Sequence, residues 1–166
     1  SFDGNLKDSS GNGRHGKGHG APKFSDGQLG KALELNGDDQ YVVLGGKSTD
    51  YSPASGSITV SLWFSMGEFD KAFQTLVSLG DQGSSDWRIH RVDRGDTIGF
   101  IGGRGVENKA EIQDGKLHHL VAVTEKGRGV ALYVDNKPVF NHLEADNAAN
   151  FSGLSKDPDA QLPVVG

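Results

Sequence analysis

The sequence predicts an all-β chain, folded as a two-sheet antiparallel sandwich. Three observations carry this. Short apolar runs alternate with period two, and glycine and aspartate punctuate them. No segment carries a helical apolar stripe over ten or more residues. Glycine is abundant, 25 of 166 residues, about twice the usual 7%, and it falls between the apolar runs rather than in one block.

In chain order, residues 31–35 (KALEL) and 40–44 (QYVVL) flank the turn residues Asn36, Gly37, Asp38 and Asp39. Residues 57–65 (SITVSLWFS) alternate strictly: Ile58, Val60, Leu62 and Phe64 share one side, and Thr59, Ser61, Trp63 and Ser65 the other. Residues 73–79 repeat the alternation. Residues 86–92 and 97–101 follow, divided by Asp93, Arg94, Gly95 and Asp96. Residues 117–124 (LHHLVAVT) and 130–135 (VALYVD) alternate again, and DNKP turns the latter back into Val139 and Phe140. Roughly ten short strands spaced by such turns suit a sandwich or closed barrel. Residues 147–163 read as polar and irregular, before Val164 and Val165 begin what resembles another strand.

At 166 residues a single domain buries about 70% of its unfolded surface and needs no disulfide. The chain has no cysteine, which removes thiolate metal sites and thiol nucleophiles. A formal net charge of -5 argues against nucleic acid as a partner. No apolar run approaches the roughly 20 residues that span a bilayer.

The order of pieces resembles the laminin-G-like, concanavalin A-like jelly-roll modules. Residues 2–16 (FDGNLKDSSGNGRHG) match their opening, and residues 27–44 (GQLGKALELNGDDQYVVL) a glycine-punctuated strand segment. Residues 55–65 (SGSITVSLWFS) match a tryptophan-bearing strand, and residues 114–139 (DGKLHHLVAVTEKGRGVALYVDNKPV) a His-His strand and its neighbour. Leu117 stands where the family usually has tryptophan, and the family's closing D-E-V strand is expected to be missing. The resemblance implies a non-catalytic binding module of a secreted or cell-envelope protein, recognising carbohydrate or an extracellular protein. A glucanase of the same architecture and a spacer or adhesion domain are the alternatives.

The glucanase alternative requires two carboxylates on one strand, about 5–5.5 Å apart for retaining chemistry. No E-x-D-x-E pattern exists, and no G-x-S-x-G elbow is present. Adjacent residues of a strand face opposite ways, so His118 and His119 cannot share one ion; one is expected to hydrogen-bond at the core edge and the other to face solvent. For ligand binding the expected residues are Trp87, Arg88, His90 and Tyr133, an aromatic platform beside polar groups. Trp63 is expected to be packed or covered by a loop. Arg88, Arg91, Arg94 and Arg104 form either an anionic-glycan patch or a solvated edge strand.

The glycine-rich stretch at residues 7–16 lacks the ending of a phosphate loop. Asp8, Ser10 and Asn12, followed by Gly13, have the spacing of half a calcium loop, or of a plain Asx turn. The resemblance implies structural calcium at the sandwich rim, with Asp8 and Asn12 as first ligands, Asp3 beside them, and Asp26 or Asp38 completing the shell.

Overall fold

A computed structural model describes residues 2–28, 30–51, 56–67, 71–79, 87–92, 94, 97–102, 105–143 and 164–166, with backbone alone at 48, 49 and 105–107. Its strands are β1 (Lys17–His19), β2 (Lys23–Gly27), β3 (Gly30–Glu34), β4 (Tyr41–Val43), β5 (Ile58–Ser65), β6 (Thr75–Leu79) and β7 (Trp87–Val92). They continue as β8 (Thr97–Gly102), β9 (Gly105–Lys109), β10 (Leu117–Glu125), β11 (Gly129–Val134), β12 (Lys137–Leu143) and β13 (Val164–Val165). One sheet has seven strands in the order β1-β4-β13-β6-β7-β8-β9, and the other four in the order β12-β11-β10-β5. Every pairing is antiparallel, and β2–β3 forms a separate hairpin. The chain is an all-β, two-sheet antiparallel sandwich of the concanavalin A-like jelly-roll kind.

Alternation decides which side chains meet between the sheets. On β5, Ile58, Val60, Leu62 and Phe64 point inward and pack on the core, while Thr59, Ser61, Trp63 and Ser65 are exposed. On β10 the inward set is His118, Leu120, Ala122 and Thr124. The seven-stranded sheet answers with Leu79, Trp87, Ile89, Ile98 and Phe100, all buried in one cluster with Leu120, Leu132 and Phe140. Burying each such large apolar side chain contributes about 1.5–3 kcal/mol. Aromatic contacts cross the cluster: Phe100 meets Trp87 edge-on at 5.1 Å and lies nearly parallel to Phe140 at 6.1 Å.

The Trp87 indole N–H needs a partner once buried. Thr124, across the sandwich, accepts it at 2.9 Å and donates in turn to the Gly102 carbonyl at 3.0 Å. A Cβ on Gly102 would lie 2.5 Å from that same threonine oxygen. Only glycine leaves room for this relay.

Several local expectations change. Residues 31–35 pair with β2, not with 40–44, so the Asn36 turn closes no hairpin. Instead the Asn36 side-chain oxygen accepts the N–H groups of Asp38, Asp39 and Gln40, an Asx turn that lets the chain change sheets. The DNKP turn is the two-residue loop Asp135-Asn136, both with positive φ (50° and 63°), as a tight primed hairpin requires. Pro138 follows on β12, an edge strand, where a missing N–H is tolerated. Of the C-terminal stretch expected to be irregular, 147–163 lies outside the described residues. Val164 and Val165, read as the beginning of another strand, form β13 between β4 and β6.

Candidate functional site

The site is built on the outer face of the four-stranded sheet. Trp63 and His119 are directly opposite on β5 and β10, both pointing away from the core. Their rings stack at 4.6 Å with 22° between planes. The imidazole is itself held: its Nε2 is 2.8 Å from the Ser61 hydroxyl, and the His119 backbone N–H donates to Asp135 Oδ1 at 2.9 Å. Trp63 keeps 56% of its surface exposed. Val121 pairs with Ser61 on one side and Tyr133 on the other, so half-buried Tyr133 shares this face one row away.

Beside it, facing inward, His118 is the histidine expected to hydrogen-bond at the core edge. Its Nδ1 is 2.7 Å from Asp135 Oδ2 and its Nε2 3.0 Å from Asp114 Oδ1. A carboxylate at each nitrogen favours the imidazolium form, in which both nitrogens donate. Burial opposes the charge, but the bonds to Asp135 and Asp114 outweigh it and raise the pKa above the ordinary histidine value. Asp114 is held well below the carboxylate range, by Lys116 first and then by His118. Asp135 is lowered by His118 and the His119 N–H.

The residues expected to bind ligand are not brought together. Trp87 has no exposed surface and belongs to the core, so no sugar can stack on it. His90 is buried on the opposite side of β7, its ring lying over Gly99, where a Cβ would come within 2.7 Å of it. Arg88 is half-buried on that same side. Tyr133 lies on the other sheet altogether. The arginine patch also dissolves. β7 is an interior strand between β6 and β8, not a solvated edge, and Arg91 points inward with Trp87 and Ile89. Its guanidinium is fully buried, donating to Gln113 Oε1 at 2.6 Å and to the Lys71 carbonyl. Arg94 is exposed, and Arg104 lies outside the described residues, as do Asp93 and Asp96. Trp63, expected to be covered, is the exposed tryptophan. The signal for it was available, since alternation in β5 already set it opposite the apolar residues.

The opening loop is held by its own hydrogen bonds. Asp8 Oδ1 accepts the Ser10 N–H at 2.8 Å, and Oδ2 accepts the Ser10 hydroxyl at 2.8 Å and the Arg14 N–H at 3.0 Å. These bonds, led by the Ser10 hydroxyl, hold the Asp8 carboxyl near a pKa of about 2. Asn12 turns its amide N–H onto Ser10 Oγ at 2.9 Å, and Asp3 accepts the Lys31 N–H at 2.8 Å. Asp26 pairs with Lys31 and Asp38 with Lys71. These carboxylate oxygens accept from N–H and O–H donors; a hard cation would take six to eight oxygens. Among the described residues no group of three or more His, Asp or Glu side chains is placed to hold a metal. Asp8 and Ser10 form an Asx turn.

A family model described as the concanavalin A-like lectin/glucanases superfamily matches residues 36–156. No curated protein matches the chain. Among solved structures, the binding domain of Paraclostridial Mosquitocidal Protein 1 is similar at 15% identity and TM-score 0.63, covering 96% of this chain and 45% of that one. A structure on botulinum neurotoxin type C, whose cell entry depends on two ganglioside molecules, is similar at 12% identity and TM-score 0.64, covering 95% and 39%. The binding domain of botulinum neurotoxin DC in complex with rat synaptotagmin II is similar at 12% and 0.63, covering 95% and 40%. The chain thus spans less than half the length of these structures, and at such identities the likeness is one of fold. Among the described residues no helix is long and apolar enough to cross a membrane.

Proposed function

The chain belongs to the concanavalin A-like lectin/glucanases superfamily, and on that premise we propose that it is a non-catalytic, laminin-G-like module that recognises carbohydrate through the outer face of its four-stranded sheet. The observation that carries this is Trp63: an indole more than half exposed, yet fixed in orientation by its stack on His119. A large apolar ring held rigid in water is an unspent binding surface, and sugars present apolar faces to such rings while their hydroxyls take hydrogen bonds. The outward positions of β5 carry no carboxylate to act as an acid or nucleophile, which sets this face apart from a glucanase cleft.

A protein ligand is the second reading. Leu117, exposed beside this same face, favours it, as does the synaptotagmin complex of a fold relative. Either ligand suits a module of a secreted or cell-envelope protein. A glycan array probed with the purified chain tests the first reading. Selective binding that disappears in Trp63→Ala, with the melting curve intact, is expected. A blank array from folded protein would overturn it and leave the protein-ligand reading.

A further inference from the structure

The geometry points to a neutral pyranoside as the ligand, its apolar sugar face stacked on the open-edge side of the Trp63 indole and its chain running along β5. This rests on the carbohydrate reading above and adds the class of sugar and the place where it lies.

The first argument is about which face of the indole is free. β5 is the outermost strand of its sheet, with β10 on one side and no further strand beyond it among the described residues. His119 comes from β10 and covers the indole from that side. The opposite indole face therefore looks out over the sheet edge. His119 cannot swing aside freely, because Ser61 holds its ring and Asp135 holds its backbone N–H. A platform locked before binding loses little entropy on binding.

The second argument is charge. The outward positions around Trp63 are Thr59, Ser61 and Ser65 on β5, with Leu117, His119 and Val121 on β10. His119 is the one ionisable side chain among them, and its ring is already engaged by the stack on Trp63 and by Ser61. The nearest outward acid on β10 is Glu125, six residues from His119 or about 20 Å along the strand, and its carboxylate is already bonded to Arg128 at 3.0 Å. Among these described positions an acidic glycan would find no guanidinium or ammonium; Lys116, just before Leu117, is bonded to Asp114, and the Asp135 carboxylate beside His119 adds negative charge. An uncompensated carboxylate or sulfate is costly to bury. The arginines singled out in the sequence do not help it: Arg88 and Arg91 lie on the other sheet, and Arg91 is buried.

The third argument is spacing. Thr59, Ser61, Trp63 and Ser65 follow one another at two-residue steps on one face, about 6.7 Å apart. This places hydroxyls on both sides of the aromatic ring along β5: Ser61 meets His119 and Ser65 donates to the Gly115 carbonyl, which leaves their oxygens able to accept from sugar hydroxyls. An extended oligosaccharide meets that row with one ring on Trp63 and the flanking rings on serine and threonine.

The two tryptophans make the test direct. Trp87 is wholly buried and Trp63 more than half exposed, so acrylamide quenching of tryptophan fluorescence reports chiefly on Trp63. The chain is titrated with cellohexaose, xylohexaose and mannohexaose, and with a heparin-derived hexasaccharide, at 50 and 500 mM NaCl. At least one neutral hexasaccharide is expected to protect Trp63 from acrylamide, with an affinity that salt changes by less than about twofold. Trp63→Ala is expected to weaken it by about tenfold or more, and Trp63→Phe by less. Near-UV circular dichroism from Trp87 verifies that both variants fold. If only the heparin fragment binds, with steep salt dependence and loss in Trp63→Ala, the neutral class is overturned while carbohydrate recognition at Trp63 stands. If a neutral sugar binds without protecting Trp63 and survives Trp63→Ala, the placement is overturned. If no sugar binds here or on the array, carbohydrate recognition itself fails.

Discussion

The two tryptophans occupy opposite situations in one sandwich. Trp87 sits on the inner face of the seven-stranded sheet with no exposed surface, and its N–H is bonded across the core to Thr124. Trp63 sits on the outer face of the other sheet, more than half exposed, its ring stacked on a histidine. The same side chain thus joins the two sheets in one place and is left facing water in the other. Folding stability draws on the first, and the second is free for a ligand. The adjacent histidines repeat the contrast within one strand: His118 is sealed between two carboxylates, and His119 supports the exposed indole.

The contrast breaks if the two tryptophans cost the same to remove. Trp87→Ala is expected to destabilise the fold by about 3–5 kcal/mol, the range for emptying a buried tryptophan site. Urea unfolding followed by circular dichroism measures it, and a loss below about 1 kcal/mol would mean Trp87 is not a core residue. Thr124→Val sharpens the point, because it keeps the volume and removes only the hydroxyl. It leaves the buried indole N–H and the Gly102 carbonyl without their partner, at a cost of about 1–3 kcal/mol. Trp87→Phe in the same background should recover part of that loss, since the orphaned donor is gone.

Why the sequence misplaced Trp87 and placed β5 correctly has a physical answer. On β5 one face is apolar and the other polar, so alternation reads directly as in and out. β7 is buried or half-buried along its whole length, and polar residues stand on both of its faces. Arg91 shares the inner face with Trp87 and Ile89 because the sandwich end supplies Gln113 and a backbone carbonyl for its guanidinium. No local pattern announces those partners. β1 and β13 have three and two residues, too few for a period to show, and β2 (KFSDG) pairs with β3 despite a weak apolar signal. The His118 clamp was half legible: opposite faces followed from adjacency, but Asp114 and Asp135 reach it only through the loop before β10 and the turn after β11.

That clamp gives the next effect. His118→Gln is expected to cost roughly 1–2 kcal/mol at pH 5.5, reduced from fully buried values because Asp114 and Asp135 are 33% and 47% exposed. The folded pKa of His118 lies above its unfolded value near 6.5. Its contribution is therefore complete below about pH 6.5 and fades as pH rises through the higher folded value. The difference in stability between wild type and His118→Gln should shrink on that side. A difference that is constant from pH 5.5 to pH 9 would show that His118 is not held as the imidazolium.

The smallest effect is the one that completes the contrast. Trp63→Ala removes the indole from its stack on His119, and Trp63 is not among the residues of the buried core cluster. The stack is worth about 0.5–1.5 kcal/mol at most, and some of it returns when water covers the newly open His119. Urea unfolding should therefore move by no more than about 1 kcal/mol. If Trp63→Ala destabilises as much as Trp87→Ala, Trp63 is part of the fold's own packing and not a free surface. A near-neutral substitution would mean the fold gains almost nothing from keeping an indole at position 63, which leaves recognition as the physical reason for its presence.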